Sequence, residues 1–283
     1  MKLNKVLSVV ALSLISLFAA CDKIESDNYL VFSGASGEWY DGNGVADKSQ
    51  RALIEKYTGA KCVNCPDGDE VVKQTINSYP GKAIAVAIES HTNFGNNYNG
   101  SPNLRCDDGI AWSEYYGAEQ LPAALVSRTD EAPFINMSDI PTKVGAITAQ
   151  PTKVAIAISN NQNEEKSSIK VDLEFVESAS EQLTLTLLIM EDSLLAKQST
   201  NVAPGYINDY PHNHMLRDVI TDIWGADIDK AQVSGNAGEK KTATFEYKVN
   251  NEWNKKNCHL VAFISDKATK KILNVAECEL VNE

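Results

Sequence analysis

At 283 residues and 43% hydrophobic content the chain is long enough for two ordinary domains and too apolar to be a disordered segment. Its formal charge of −12 becomes −14 once residues 1–20 are removed, because they hold Lys2 and Lys5 and no acid. A surface of that sign repels nucleic acid, so nucleic-acid partners are set aside.

Lys2 and Lys5 precede an apolar run from Val6 to Ala20, short for a bilayer-spanning helix but laid out as a secretory signal peptide. Its end, Leu17-Phe18-Ala19-Ala20-Cys21, resembles a bacterial lipobox, in which small residues precede a cysteine that is lipidated before cleavage. Residues 1–20 are therefore expected to leave, and lipid on Cys21 to anchor the rest to a membrane. The other cysteines, Cys62, Cys65, Cys106, Cys258 and Cys278, then lie in a compartment that permits disulfides. Five is odd, so at least one thiol stays free, pairs between molecules or trades partners.

Residues 21–47 are polar and glycine-rich and read as a lipidated tether, with one short strand from Tyr29 to Phe32. From Arg51 the pattern becomes short alternating elements: a strand to Tyr57, a helix from Pro66 to Tyr79, and an apolar strand from Lys82 to Glu89. Strand, helix and strand in so few residues predict a βαβ unit with parallel strands. A loop rich in Asn and Gly, His91 to Arg105, leads to a helix at Asp107 to Tyr116. Strands at Ala123 to Arg128 and Ala132 to Ile135 follow, then a helix from Ser138 to Ala149 with Ser138 as N-cap. The order βαβαββα predicts an α/β domain over residues 48–149.

After Pro151 the period switches to two. Ile169, Val171, Leu173 and Phe175 alternate with polar neighbours, as do Leu183, Leu185 and Leu187, and later Phe245, Tyr247 and Val249. That pattern predicts an all-β domain over 150–283, an antiparallel, immunoglobulin-like β-sandwich. Asn201 to Gly225 interrupts it and ends in a helical pattern, Met215 to Trp224.

The chemistry concentrates at Cys62-Val-Asn-Cys65-Pro66, set between a strand and a helix. A helix N-terminus offers unpaired N–H groups and a positive partial charge to a thiolate, so Cys62 is the expected nucleophile and Cys65 the resolving thiol. Pro66 suits a first helical turn, where its missing N–H costs little. A structural disulfide is the competing reading. Zinc would need two more ligands, with only Cys106 and His91 at hand, so no metal or other cofactor is assigned. His212, His214 and Asp209 form a second metal candidate, outweighed by simple loop hydrogen bonding. Cys106 could bond Cys62 switchably or be a lone buried thiol. Cys258 and Cys278 lie ten residues either side of Ala268, so a hairpin centred there sets them opposite as a structural disulfide or two buried thiols.

Two resemblances rest on these residues. Tyr116-Gly-Ala-Glu-Gln-Leu121-Pro122 opens a strand after the second helix and resembles the cis-proline loop of the thioredoxin superfamily. The resemblance implies a cis Pro122 facing the cysteine pair, with Leu121 beside Cys62 at the substrate peptide. Two positions depart from that pattern: Lys61 stands where Trp is usual, and Lys56 where a buried acid would serve Cys65. Glu55 should point to the other strand face. The longer pattern from Glu55 to Pro66, with Asp209-Tyr-Pro-His-Asn-His-Met-Leu-Arg217 and Trp224-Gly225, resembles the outer-membrane-protein-28 lipoproteins of Bacteroidetes. It implies an outer-membrane lipoprotein, facing the periplasm or the cell surface. Two functions stay open: thiol–disulfide exchange with extracytoplasmic proteins, or a non-catalytic adhesion, binding or assembly module.

Overall fold

In the computed structural model, residues 37–129, 134–163, 166–228 and 233–281 are described. The signal peptide, Cys21 and the expected strand at Tyr29 to Phe32 lie outside them. The first strand, β1 (Glu38–Asp41), falls in the stretch read as tether, yet it pairs with residues far along the chain, Glu38 opposite Thr244.

The predicted βαβ unit follows as β2 (Ala52–Thr58), α1 (Cys65–Ser78) and β3 (Ala83–Glu89). β2 and β3 run parallel from Ala52 opposite Ala83 to Thr58 opposite Glu89. Both are buried along their whole length because helices cover both faces. On one face α2 (Asp107–Tyr116) sets Trp112 in the core with Leu53, Tyr57, Val86 and Ile88. β4 (Ala123–Val126) lies antiparallel to β2, and Ile135 adds one bridge to Ala124. On the other face α1 and α3 (Ile140–Thr148) bring Val72, Ile140 and Val144 against Ile54, Ala83 and Ala85. Ser138 is not the cap of α3. It sits in a 3-10 turn at Met137–Asp139, and the helix starts after Asp139, with Pro141 in its first turn.

The second half supplies β5 (Val154–Gln162), β6 (Ser167–Phe175), β7 (Leu183–Glu191), β8 (Leu194–Ser199), β9 (Tyr206–His212), β10 (Met215–Val219), β11 (Ala226–Asp227), β12 (Lys240–Tyr247), β13 (Cys258–Asp266) and β14 (Ile272–Glu279). A four-stranded antiparallel sheet has the order β1-β12-β6-β5. A larger, open, mixed sheet has the order β14-β13-β7-β10-β3-β2-β4, with β11 also on β7. β8 and β9 form a separate two-stranded ribbon. The sheets meet face to face: Ile169, Val171 and Leu173 of β6 share a core with Leu185, Leu187 and Ile189 of β7.

The segment read as helical from Met215 is instead β10. It enters between two strands that each offer an open edge, parallel to β3 with Met215 opposite Ala87, and antiparallel to β7 with Leu216 opposite Met190. Two ladders of backbone hydrogen bonds outweigh a short helix's own. One sheet therefore runs through residues from both sides of position 150. This is also why β7 is buried at all its positions: Leu185 and Leu187 face one core, while Leu188 and Met190 face the core that holds Trp112.

The expected Cys258 and Cys278 disulfide is absent, and both are free thiols. The turn closes with Ser265 opposite Ile272 instead of centring on Ala268, and a bulge between Ile264 and Ser265 shifts the register further, so that Leu260, not Cys258, faces Cys278. Cys258 accepts the Leu280 N–H instead. Residues offset by two across a ladder are about 7–8 Å apart, beyond the reach of a disulfide.

Candidate functional site

β2 delivers the chain to Gly59, and the loop closes on itself as the Cys62 N–H donates to the Gly59 carbonyl at 2.9 Å. α1 then begins at Cys65, with Pro66 in its first turn. Cys62 and Cys65 are joined as a disulfide. Cys62 is 5% exposed and Cys65 fully buried, while Val63 between them is 45% exposed. Gly59 is required by crowding: a Cβ there would lie 2.5 Å from the Phe94 carbonyl oxygen. That same oxygen accepts the Lys61 N–H at 2.8 Å.

The Leu121–Pro122 peptide bond is cis. Pro122 packs on the first turn of α1, where a Cβ added at Gly68 would sit 3.0 Å from its Cβ and Cγ and 3.2 Å from Met137 Cε. Gly68→Ala is therefore expected to push the proline loop off the helix. Overpacking of about 1–3 kcal/mol, partly offset by a helix-propensity gain of up to about 1 kcal/mol, leaves a net loss of about 1 kcal/mol in urea unfolding. An unchanged midpoint would show that the loop yields freely.

A second covering comes from the β8–β9 ribbon, whose second strand falls in the stretch the sequence read as an interruption. The buried Gln198 side-chain amide donates to the Cys62 carbonyl at 2.8 Å and the Gly59 carbonyl at 3.2 Å. The Ser199 N–H reaches the Ala60 carbonyl at 2.8 Å, and the Tyr210 hydroxyl donates to Asp69 of α1 at 2.8 Å.

Under the loop lies a buried acid that sequence reasoning missed. Lys56 does occupy the position where an acid was expected, paired with Asp69. Glu89, at the end of the neighbouring β3, supplies a carboxylate: one oxygen accepts the Ala60 N–H at 2.7 Å and the other has no hydrogen-bond partner. Burial pushes Glu89 up to about 7 and pulls Lys56 down to about 7, each shift opposed by the other's charge. The available signal was an acid closing the run Ala83-Ile-Ala-Val-Ala-Ile-Glu89. Glu55 does point to the opposite face, where it pairs with Arg128.

The remaining candidates stay apart. Cys106 caps α2, its sulfur accepting the Gly109 N–H at 3.4 Å, and burial pushes its thiol up to about 12. His91 binds Ser113 through Nδ1 at 2.9 Å. His212 is buried in the ribbon, held neutral by burial and by the nearby Lys56 charge, which pull it down to about 4. His214, at φ 60°, leaves the extended path of β9 and brings Nδ1 to 3.3 Å from Asp192, while Asp209 is exposed. Among the described residues no three His, Cys, Asp or Glu are arranged to hold a metal. No helix among them is long and apolar enough to cross a membrane.

A family model described as outer membrane protein Omp28 matches residues 110–283. No curated protein matches. Among solved structures, HBP35 of Porphyromonas gingivalis is 15% identical with a TM-score of 0.61, over 83% of this chain and 76% of that one. Protein AGR_C_4864 of Agrobacterium tumefaciens is 14% identical with a TM-score of 0.53, over 84% and 98%. A domain of the outer membrane lipoprotein Omp28 from Porphyromonas gingivalis is 14% identical with a TM-score of 0.30, over 45% and 88%. At these identities the first two similarities concern the fold alone.

Proposed function

The chain belongs to the family of outer membrane protein Omp28, and from that premise we propose an outer-membrane lipoprotein that exchanges disulfides with extracytoplasmic proteins. In this reading lipid on Cys21 is the anchor, residues 48–149 form a thioredoxin-like part, and residues 150–283 form an immunoglobulin-like sandwich that shares its sheet. The observation that carries it is the Cys62–Cys65 bond at the start of α1 with the Pro122 ring packed against the first turn of the same helix.

A partner thiolate attacks Cys62 Sγ, the bond to Cys65 breaks, and Cys65 leaves as a thiolate that takes up a proton. A second partner thiol then attacks the partner sulfur of the mixed disulfide, leaving the partner oxidised and Cys62 reduced. Run backwards, the same steps reduce a partner. Pro122 shapes the groove and Leu121 meets the partner backbone.

The test is dithiothreitol-driven reduction of insulin by the unlipidated chain. Cys62→Ser is expected to fall to the uncatalysed rate, and equal rates for both proteins would remove the reading. Cys21→Ser is expected to move the protein from the membrane fraction to the soluble one, since each acyl chain contributes about 0.8 kcal/mol per buried CH2. Retention at the membrane would refute the anchor.

The burial of both cysteines favours a second reading, an inert disulfide in a platform for adhesion or assembly. In that case reduction of the folded protein proceeds only as fast as the chain unfolds, whatever the dithiothreitol concentration.

A further inference from the structure

Among the described residues nine large hydrophobic side chains are exposed, and six of them, Val63, Phe94, Leu195, Val202, Tyr206 and Ile207, lie on the disulfide loop, the loop after β3 and the β8–β9 ribbon. Those three segments are bonded to one another through the Phe94, Ala60 and Cys62 carbonyls. Single exposed hydrophobics are normal, whereas a concentration on one contiguous region marks an interaction surface. Two cations lie there as well, with the exposed acids Asp67, Glu70 and Asp209 at its α1 side and on β9. Lys61, directly before Cys62, lies over the Tyr98 ring at 5.5 Å, and Lys197 lies over the same ring at 5.0 Å and over Tyr206 at 3.7 Å. Neither lysine is in a salt bridge among the described residues, in a chain whose net charge is −12. Lys197 lies at a bulge of β8, half-buried between the buried Ala196 and Gln198, with its ammonium over the two rings.

We infer that the disulfide loop and the ribbon form one docking surface for a polypeptide segment rich in apolar and acidic residues. The aromatic and aliphatic side chains take its apolar groups, and Lys61 and Lys197 take its carboxylates. The inference rests on the disulfide-exchange reading only in placing the partner's cysteine in that segment.

Two peptides test it, each labelled with fluorescein and carrying one central Cys, flanked by Phe and Glu or by Phe and Lys. With Ser in place of the peptide Cys, and with Cys62→Ser/Cys65→Ser protein, fluorescence anisotropy reports docking without chemistry. The Glu peptide is expected to bind about tenfold tighter than the Lys peptide, with the difference collapsing in high salt and reversing in Lys61→Glu/Lys197→Glu. Equal binding of both peptides, or a preference untouched by salt and charge reversal, overturns the inference. Binding of phosphatidylglycerol vesicles in place of the Glu peptide also overturns it. In the second arm, Cys65→Ser protein reduced with a phosphine meets the Cys peptides activated as mixed disulfides with nitrothiobenzoate. The Cys62 thiolate attacks the peptide sulfur and releases the coloured thiolate. Docking without colour release leaves the surface standing and removes the exchange reading.

Discussion

A chain cut after residue 149 is expected not to fold, although residues 48–149 contain a complete βαβ unit and two further helices. The cut strips β10 from the edge of β3, so the backbone ladder at Ala87 loses its partner, including the 2.7 Å bond from the Ala87 N–H to the His214 carbonyl. It also removes half of one core. Leu53, Tyr57, Val86 and Trp112 are buried with Leu188, Met190, Leu216 and Phe263, all from beyond the cut. Leaving large apolar side chains in water costs about 1.5–3 kcal/mol each, and a few of them exceed the roughly 5–15 kcal/mol that holds an ordinary domain. The whole chain should correspondingly unfold in one transition, followed by far-UV circular dichroism and by tryptophan fluorescence. Native near-UV signals from the 48–149 piece, or two separate transitions in the whole chain, would show two independent domains.

Arg128→Met is expected to lower stability by about 3–5 kcal/mol, the usual cost of leaving a buried charge without its partner. The Arg128 and Glu55 side chains are 4% and 1% exposed, and the guanidinium grips the carboxylate with bonds of 2.8 and 2.6 Å. Its carbon also lies 5.1 Å from the Trp112 ring centre, 5.5 Å from Tyr116 and 5.3 Å from Phe263, so one cation joins β2, α2 and β13. Methionine keeps the apolar stem and deletes the charge, which isolates the electrostatic cost. Replacing both partners, Glu55→Leu with Arg128→Met, should recover most of the loss because no orphaned carboxylate remains. Urea midpoints at constant m decide between them. A double variant as unstable as the single one would assign the effect to packing.

Local spacing carried much of the first half. The helix expected at Pro66 to Tyr79 is Cys65–Ser78, and that at Asp107 to Tyr116 has those bounds. α1 has a 3.6-residue apolar pattern and a proline at its start, and α2 ends at Gly117 in the left-handed conformation. β7 misled the period-two reading, because the continuous run Leu187-Leu-Ile-Met190 within it signals burial on both faces. Met215 to Val219 could read as helix or strand on pattern alone, and a two-sided sheet edge selected the strand. Glu89 drew no notice because an acid at a strand end is ordinarily solvated.

The chain's order of residues by itself predicted a secretory leader and an anchor cysteine and marked out the Cys62 and Cys65 pair and the Pro122 loop, since each reading depends on neighbours a few positions apart. Tertiary structure alone decided that β1 leaves the tether, that Cys258 and Cys278 miss each other, that Glu89 lies under the disulfide loop and that Gln198 closes over it. Those outcomes depend on strand register and on which edges meet. Both are set by burying apolar surface and satisfying backbone groups across the whole molecule, which no window of sequence contains.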